Sequence, residues 1–175
     1  MKRPNILLIY TDQQRGDCLG ANGNSKIFTP NLDSLANDGI SFDHAFVSCP
    51  GCMPSRMSML SSRYPSTLGI RCNGIAMPDT IPCVQHILKS KGYRTANIGK
   101  LHFTNHSDRD HHQPHPHYGF DNLILSDEPG CYEDAYMDWV RKNAPDQVDN
   151  CRVDTPPAST APPIHKHPRD THQPY

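Results

Sequence analysis

Long hydrophobic runs are absent from this 175-residue sequence. No segment approaches the ~20 consecutive apolar residues that a helix needs to cross a bilayer, so the sequence predicts no contact with a membrane. A strong net charge is absent too, because 17 Lys and Arg residues are balanced by 18 Asp and Glu. This balance excludes a strong electrostatic attraction to nucleic acid, which is not predicted as a partner.

A secretory leader is also not evident. Only five apolar or aromatic residues follow one another near the start, at 6–10, whereas a leader has roughly 7–15 of them and then a cleavage site. The seven cysteines are odd in number and widely scattered, which argues against the disulfide framework of a small secreted domain. The sequence therefore predicts a cytoplasmic protein.

Proline and histidine are abundant instead, with 17 and 11 residues. Six prolines fall within 155–175, which holds almost no large apolar side chain, and this composition predicts a disordered tail. Residues 1–154 are enough for one domain with a buried core. Six histidines lie within 102–117, where Pro114 and Pro116 predict a loop. Both a solvated loop and a zinc site fit this histidine density.

Apolar runs alternate with helical patterns along residues 1–154. The predicted strands are 5–10, 40–47 and 93–98. The predicted helices begin after Thr29, near Met57 and after Thr80, and a last one covers 132–143. Strands alternating with helices predict an α/β domain with a mostly parallel sheet flanked by helices.

The sharpest motif is Cys-Met-Pro-Ser-Arg at 52–56, which continues as Met-Ser-Met-Leu-Ser-Ser-Arg. Cys52 lies where a turn enters a predicted helix, so that unpaired N–H groups and the positive end of the helix dipole can meet an anion. Arg56 follows one turn later and can donate two hydrogen bonds to oxygens held there. Cys49 and Cys52 also form a C-x-x-C pair, which leaves thiol redox chemistry and a simple buried thiol as alternatives.

A second motif, Gly-Tyr-Arg-Thr-Ala-Asn-Ile-Gly-Lys-Leu-His at 92–102, places Lys100 and His102 after a predicted strand. The two motifs resemble the two signatures of the formylglycine-dependent sulfatases. Further segments that resemble this family, in the right order, are 4–13, 29–33 and 119–121. The resemblance implies the N-terminal part of an arylsulfatase-like domain with an alkaline-phosphatase-like fold over 1–154.

The resemblance also implies a site and an activity. In this family a formylglycine-generating enzyme oxidises the cysteine to formylglycine, whose hydrated aldehyde attacks a sulfate monoester. The catalytic residues implied here are Cys52, Arg56, Lys100 and His102. The cofactor implied is a divalent cation, Ca2+, with Asp12, Gln13 and the modified Cys52 as its ligands. The substrate implied is a small-molecule or saccharide sulfate ester.

Two departures from the family pattern keep alternatives open. Gln13 stands where the family more often has an acidic residue, which keeps a carbonyl oxygen but removes a charge. After residue 121 no convincing second pair of metal ligands follows, so the domain is predicted to be truncated. The alternatives are a catalytically inactive α/β fragment and a phosphate or phosphonate monoester hydrolase that uses the same site. Asp12 could also serve only as a loop carboxylate that accepts backbone N–H bonds.

Overall fold

A computed structural model describes residues 3–104, 114–128 and 133–152. Its helices are α1 (Pro30–Asp38), α2 (Cys52–Ser61), α3 (Pro65–Leu68), α4 (Val84–Ser90), α5 (Ala135–Asn143) and α6 (Val148–Cys151). Its strands are β1 (Ala96–Gly99) and β2 (Asn122–Leu125). Within these ranges, no helix combines the length and the apolar character that crossing a bilayer requires. The predicted tail lies outside the described residues.

The sheet consists of β1 and β2, which run parallel with Ala96 opposite Asn122 and Gly99 opposite Leu125. Just before the strands, the Asp121 carboxylate accepts the Thr95 N–H at 2.9 Å and fixes this register. Parallel strands with helices around them confirm the predicted α/β class. Strand β2 was not predicted, because its four residues are too few to show a strand periodicity.

The predicted strands at 5–10 and 40–47 are wrong for the described structure, where neither segment joins a ladder. Their apolar side chains are exposed, with Leu7 at 84% and Phe46 at 88%. Apolar composition favours a strand, but a strand forms only where a neighbour satisfies its backbone hydrogen bonds. Such a neighbour for these two segments is not found among the described residues.

The core packs one face of α2 against the segments that flank the two strands and against the chain between α2 and β1. Their buried apolar side chains form one cluster: Met53, Met57, Ile70, Met77, Cys83, Leu101, Phe103, Tyr118, Phe120 and Leu125. The rings of Phe103 and Tyr118 meet edge to face with centroids 5.0 Å apart, a preferred geometry for aromatic pairs. The segments on both sides of β1 and β2 are therefore anchored to α2.

Helix α1 begins and ends where the sequence predicts. Thr29 precedes it, Pro30 is its first residue and Gly39 follows it. The Thr29 hydroxyl does not cap the helix, however. It accepts the Gly20 N–H at 2.8 Å and donates to the Asp33 carboxylate at 2.9 Å, which ties α1 to the preceding loop.

Two other helices begin later than predicted. Helix α4 starts after Cys83 and not after Thr80, because Ile81 precedes a proline and such a residue disfavours helical dihedrals. Helix α5 starts after Asp134, whose carboxylate accepts the Met137 N–H at 3.0 Å. The predicted start at residue 132 lies outside the described residues.

Candidate functional site

Helix α2 fixes the position of the first candidate, Cys52, which is its first residue and is partly exposed. Met53 and Met57 lie one turn apart on the inner face and are both 0% exposed. The Met53 N–H donates to the side-chain carbonyl of Asn73 at 3.0 Å. Since the first turn of α2 is held by packing and by this hydrogen bond, the Cys52 side chain projects from a rigid backbone.

Arg56 lies one turn further along α2 and connects three segments of the chain. Its side chain is only 8% exposed. One guanidinium nitrogen donates to the Lys100 carbonyl at 2.8 Å, and another lies 3.1 Å from Asp12 Oδ1. The guanidinium also stacks over the Tyr10 ring, 5.1 Å from its centroid, a distance at which cation–π attraction is effective.

Asp12 completes an ion-pair cluster formed by Asp12, Arg56 and Lys100. Its Oδ2 lies 2.9 Å from Lys100 Nζ. Partial burial alone would raise the pKa of the Asp12 carboxyl, but hydrogen bonds and charge from Lys100 and Arg56 outweigh that effect and lower the pKa. Asp12 is therefore ionised at neutral pH, and each of its oxygens contacts a cation.

Lys100 and His102 follow β1 in a tightly packed segment. The Lys100 side chain is 12% exposed, and its Nζ also lies 3.8 Å from Glu128 Oε1. His102 is 1% exposed and has a φ of +55°, in the left-handed region. Its backbone N–H donates to Asp127 Oδ1 at 3.1 Å. His102 thus belongs to the core and not to the exposed surface of the ion-pair cluster.

The donors for a divalent cation are few among the described residues. Asp12 and Gln13 offer a carboxylate and an amide, and Gln13 lies in an exposed turn with a φ of +54°. Within 3–104, 114–128 and 133–152, no three His, Cys, Asp or Glu side chains group closely enough to hold a metal ion. Calcium takes about 6–8 oxygen ligands. These oxygen donors suit calcium in kind, but they are fewer than its usual ligand number.

The structure brings Asp12, Arg56 and Lys100 into direct contact and places Cys52 on the same helix as Arg56. Sequence analysis missed three residues around them: Tyr10 under the guanidinium, and Asp127 and Glu128 beyond β2. Asp127 and Glu128 follow β2, just as Asp12 follows the apolar run at 6–10. If β2 had been predicted, its carboxyl end would have marked these two residues as candidates.

The structure describes only part of the cysteines and histidines on which the thiol and zinc alternatives depend. Cys18, Cys49, Cys52, Cys72, Cys83 and Cys151 are all free thiols. Burial raises the pKa of the Cys83 thiol to about 11, which makes that cysteine unreactive. His115 and His117 bond to nearby carbonyl groups, and the histidines between residues 105 and 113 lie outside the described residues.

Comparison with known proteins gives the site its context. The family model described as Sulfatase matches residues 4–155. The chain belongs to the sulfatase family. This sulfatase chain is 39% identical over 119 residues to an ulvan-active sulfatase of Formosa agariphila, an alignment that covers 68% of the chain and 23% of the relative. It is 35% identical over 155 residues to an arylsulfatase of Clostridium perfringens, covering 85% of the chain and 29% of the relative.

Solved structures agree with this assignment. The phosphonate monoester hydrolase of Agrobacterium radiobacter superposes with a TM-score of 0.68 at 29% identity, over 83% of the sulfatase chain and 30% of that protein. A structure solved with its substrate D-glucosamine-2-N,6-O-disulfate superposes with a TM-score of 0.65 at 28% identity, over 85% of the chain and 32% of that protein. The fold is alkaline-phosphatase-like, and the chain spans less than a third of each of these four proteins.

Proposed function

We propose that this chain carries the nucleophile and the anion-binding residues of a sulfatase that hydrolyses sulfate monoesters, with Cys52 converted to formylglycine. The observation that carries the proposal is the contact network of Arg56. The arginine of the Cys-x-Pro-Ser-Arg motif contacts both Asp12 and the Lys100 backbone. Arg56 thereby connects the segments of Asp12, Cys52 and Lys100, which the family resemblance implies together form the site.

The charges of this network suit a tetrahedral oxyanion. Arg56 and Lys100 contact the carboxylate of Asp12, and Glu128 lies 3.8 Å from Lys100, so these four formal charges balance and a bound divalent cation would add net positive charge. Fixed positive charge in a partly buried setting stabilises negative charge that develops on non-bridging oxygens, because the protein need not reorganise during the reaction.

The chain's own residues divide the remaining tasks. Formylglycine at position 52 would supply a hydroxyl nucleophile as its aldehyde hydrate. Lys100 would hold the non-bridging oxygens, and Lys100 or His102 would give a proton to the bridging oxygen of the leaving alcohol. Of these two, Lys100 is the more accessible, since its side chain is 12% exposed and His102 is 1% exposed.

A divalent cation, Ca2+ by the oxygen character of its donors, is the proposed cofactor. Asp12, Gln13 and the modified Cys52 would supply part of its shell, with water or further parts of a sulfatase domain completing it. When bound, the cation would supply Lewis acidity toward the ester oxygens. Calorimetric titration with calcium tests this, with Asp12→Asn expected to abolish binding and Asp17→Asn, on an exposed carboxylate outside the cluster, expected to retain it.

A saccharide sulfate is the proposed substrate class, and a phosphonate or phosphate monoester is the second candidate. The first is supported by the ulvan-active relative and by the structure bound to a glucosamine disulfate. The second is supported by the likeness to a phosphonate monoester hydrolase. Parallel assays on aryl sulfate, aryl phosphate and phenyl phosphonate esters distinguish the two.

Peptide mass spectrometry tests the nucleophile directly. The chain is co-expressed with a formylglycine-generating enzyme, and the peptide that contains Cys52 is expected to lose the mass difference between a thiol and an aldehyde. Cys49→Ala should still be converted, because Cys49 lies outside the motif, and Cys52→Ala should not. An unmodified Cys52 thiol in the presence of active maturation enzyme would contradict the proposal.

A further inference from the structure

The two strands of the sheet end side by side. Gly99 pairs with Leu125, and the Ser126 N–H donates to the Gly99 carbonyl at 3.3 Å. The chain segments that follow, 100–102 and 126–128, therefore run next to each other beyond the carboxyl edge of the sheet. The first segment holds the proposed proton donors, and the second holds Glu128, which pairs with Lys100, and Asp127, a carboxylate that the proposed mechanism does not use.

Asp127 connects the two segments from within the core. It is 3% exposed, and its Oδ1 accepts both the Leu101 N–H at 2.9 Å and the His102 N–H at 3.1 Å. One oxygen that accepts two successive N–H groups fixes the orientation of both peptide planes.

His102 has a backbone that needs such a restraint. Its φ of +55° lies in the left-handed region, which residues with a Cβ atom avoid. Leu101 and Phe103 on either side are 2% and 0% exposed, so both neighbours are fixed by packing. If the Asp127 oxygen were removed, two buried N–H groups would lose their acceptor and the backbone at His102 would relax toward negative φ. That rotation would change the direction of the His102 side chain.

We infer that Asp127 is a positioning residue, which sets the directions of His102 and, through the adjoining backbone, of Lys100 without touching the substrate. The inference rests on the proposed function, because it takes Lys100 and His102 to be the proton donors. Glu128 assists from the same segment through its ion pair with Lys100 at 3.8 Å. If Asp127 only stabilised the fold, its replacement would lower the global stability but leave the local geometry of residues 100–102 unchanged.

The test compares three variants of the full chain by NMR and hydrogen exchange. Asp127→Ala removes the acceptor, whereas Asp127→Asn keeps a carbonyl oxygen at the same position. Asp134→Ala is the matched control, since Asp134 is also buried and also accepts a backbone N–H, that of Met137 in α5. The His102 ring signals are assigned by their loss in His102→Gln.

In Asp127→Ala, exchange of the Leu101 and His102 amides should accelerate roughly tenfold or more, the factor expected when a buried N–H loses its acceptor, and the His102 ring signals should shift. Asp127→Asn should keep both close to the parent protein, and Asp134→Ala should change neither. The inference is overturned if Asp127→Ala leaves these signals unchanged, or if both alanine variants change them alike.

Turnover of an aryl sulfate by the parent chain tests the proposed function separately. If the parent is active, Asp127→Ala should lower kcat about tenfold or more with little change in KM, and Asp127→Asn should recover most of the loss. An equal fall in both alanine variants would overturn the positioning role. If the parent is inactive, the proposed function fails for this chain, and the NMR comparison still decides whether Asp127 orients His102.

Discussion

Lys100 Nζ and Asp12 Oδ2 lie 2.9 Å apart although 88 positions separate the two residues in the sequence. This contact is unusual because the segment before Asp12 is hardly buried, with Ile6 to Ile9 between 61% and 84% exposed. The N-terminal segment is therefore held at the site by ion pairs and by the Tyr10 ring, and not by apolar packing. Charge at the site therefore has a structural effect.

Replacing Asp12 should release this segment. Asp12→Asn removes the carboxylate shared by Arg56 and Lys100, and we expect faster hydrogen exchange over residues 10–14 with about 1 kcal/mol or less of lost global stability, because the carboxylate is partly exposed. Hydrogen-exchange mass spectrometry and urea denaturation measure the two quantities. Asp17→Asn removes a surface pair with Arg15 and is the control. Equal exchange in both variants would show that the segment is anchored by other contacts.

Arg56 should be more sensitive than Asp12, because its side chain is 8% exposed and makes contacts to two segments. Arg56→Ala should cost about 2–3 kcal/mol of unfolding free energy, since it leaves the Lys100 carbonyl and Asp12 without their charged donor. Arg56→Lys should recover only part of this, because an ammonium cannot reproduce the planar fork of a guanidinium. Denaturant titration gives both values, with Arg71→Ala, at an exposed position, as the control. A lysine variant as stable as the parent would show that charge alone suffices.

Acid should weaken the junction between β1 and β2. The pKa of the Asp121 carboxyl is lowered from 3.8 to about 2. The main cause is the hydrogen bond and ion pair with Lys89, and hydrogen bonds from Thr95 add to it. A carboxyl with a lowered folded-state pKa contributes stability above pH 3.8, and this contribution is lost as the pH falls toward 2, because the unfolded chain binds the proton first.

Urea denaturation at several pH values tests this linkage. Asp121→Asn should be less stable than the parent at pH 7, and the two proteins should converge in stability as the pH approaches 2. The control, Asp43→Asn, changes an exposed carboxylate and should show no such convergence with the parent. A constant stability difference between Asp121→Asn and the parent at every pH would contradict the linkage.

Local sequence signals were sufficient for part of the fold. The pair Thr29-Pro30 and Gly39 gave the bounds of α1, because proline at a first helical position and glycine beyond the end act over a few residues. The helix predicted near Met57 begins earlier, at Cys52, so that Cys52 and Arg56 lie one turn apart on α2. The place of Lys100 after a predicted strand also indicated that its side chain could meet residues from other segments, and its Nζ lies near Asp12 and Glu128.

Long-range features were not predictable in the same way. The apolar pattern at 5–10 indicates a buried strand, but the described residues supply no strand to pair with it. The chain spans only 23–32% of the four related proteins compared above. Strand β2 is four residues long and has no periodicity to separate it from a loop. With β2 unpredicted, no local signal identified Asp127 as the acceptor for the backbone of His102.

Gly119 should tolerate no side chain. Its φ is +85°, and a Cβ atom added there would lie 2.6 Å from Nε2 of His86, whose Nδ1 accepts the Cys83 N–H at the start of α4. Gly119→Ala should therefore cost about 1–3 kcal/mol, from backbone strain and from displacement of the imidazole. Calorimetry should show this as a fall in Tm of several degrees.

Two further variants separate the causes of that loss. Gly16→Ala adds a methyl group where no atom lies within 4 Å and where φ is not positive, so it should leave Tm nearly unchanged. Combining Gly119→Ala with His86→Ala removes the clash but not the backbone strain, so the two single losses should not add. Full additivity would mean that backbone strain alone requires glycine at this position. A Gly119→Ala protein as stable as Gly16→Ala would refute both causes, and the turn before β2 would then have to be flexible enough to move away from α4.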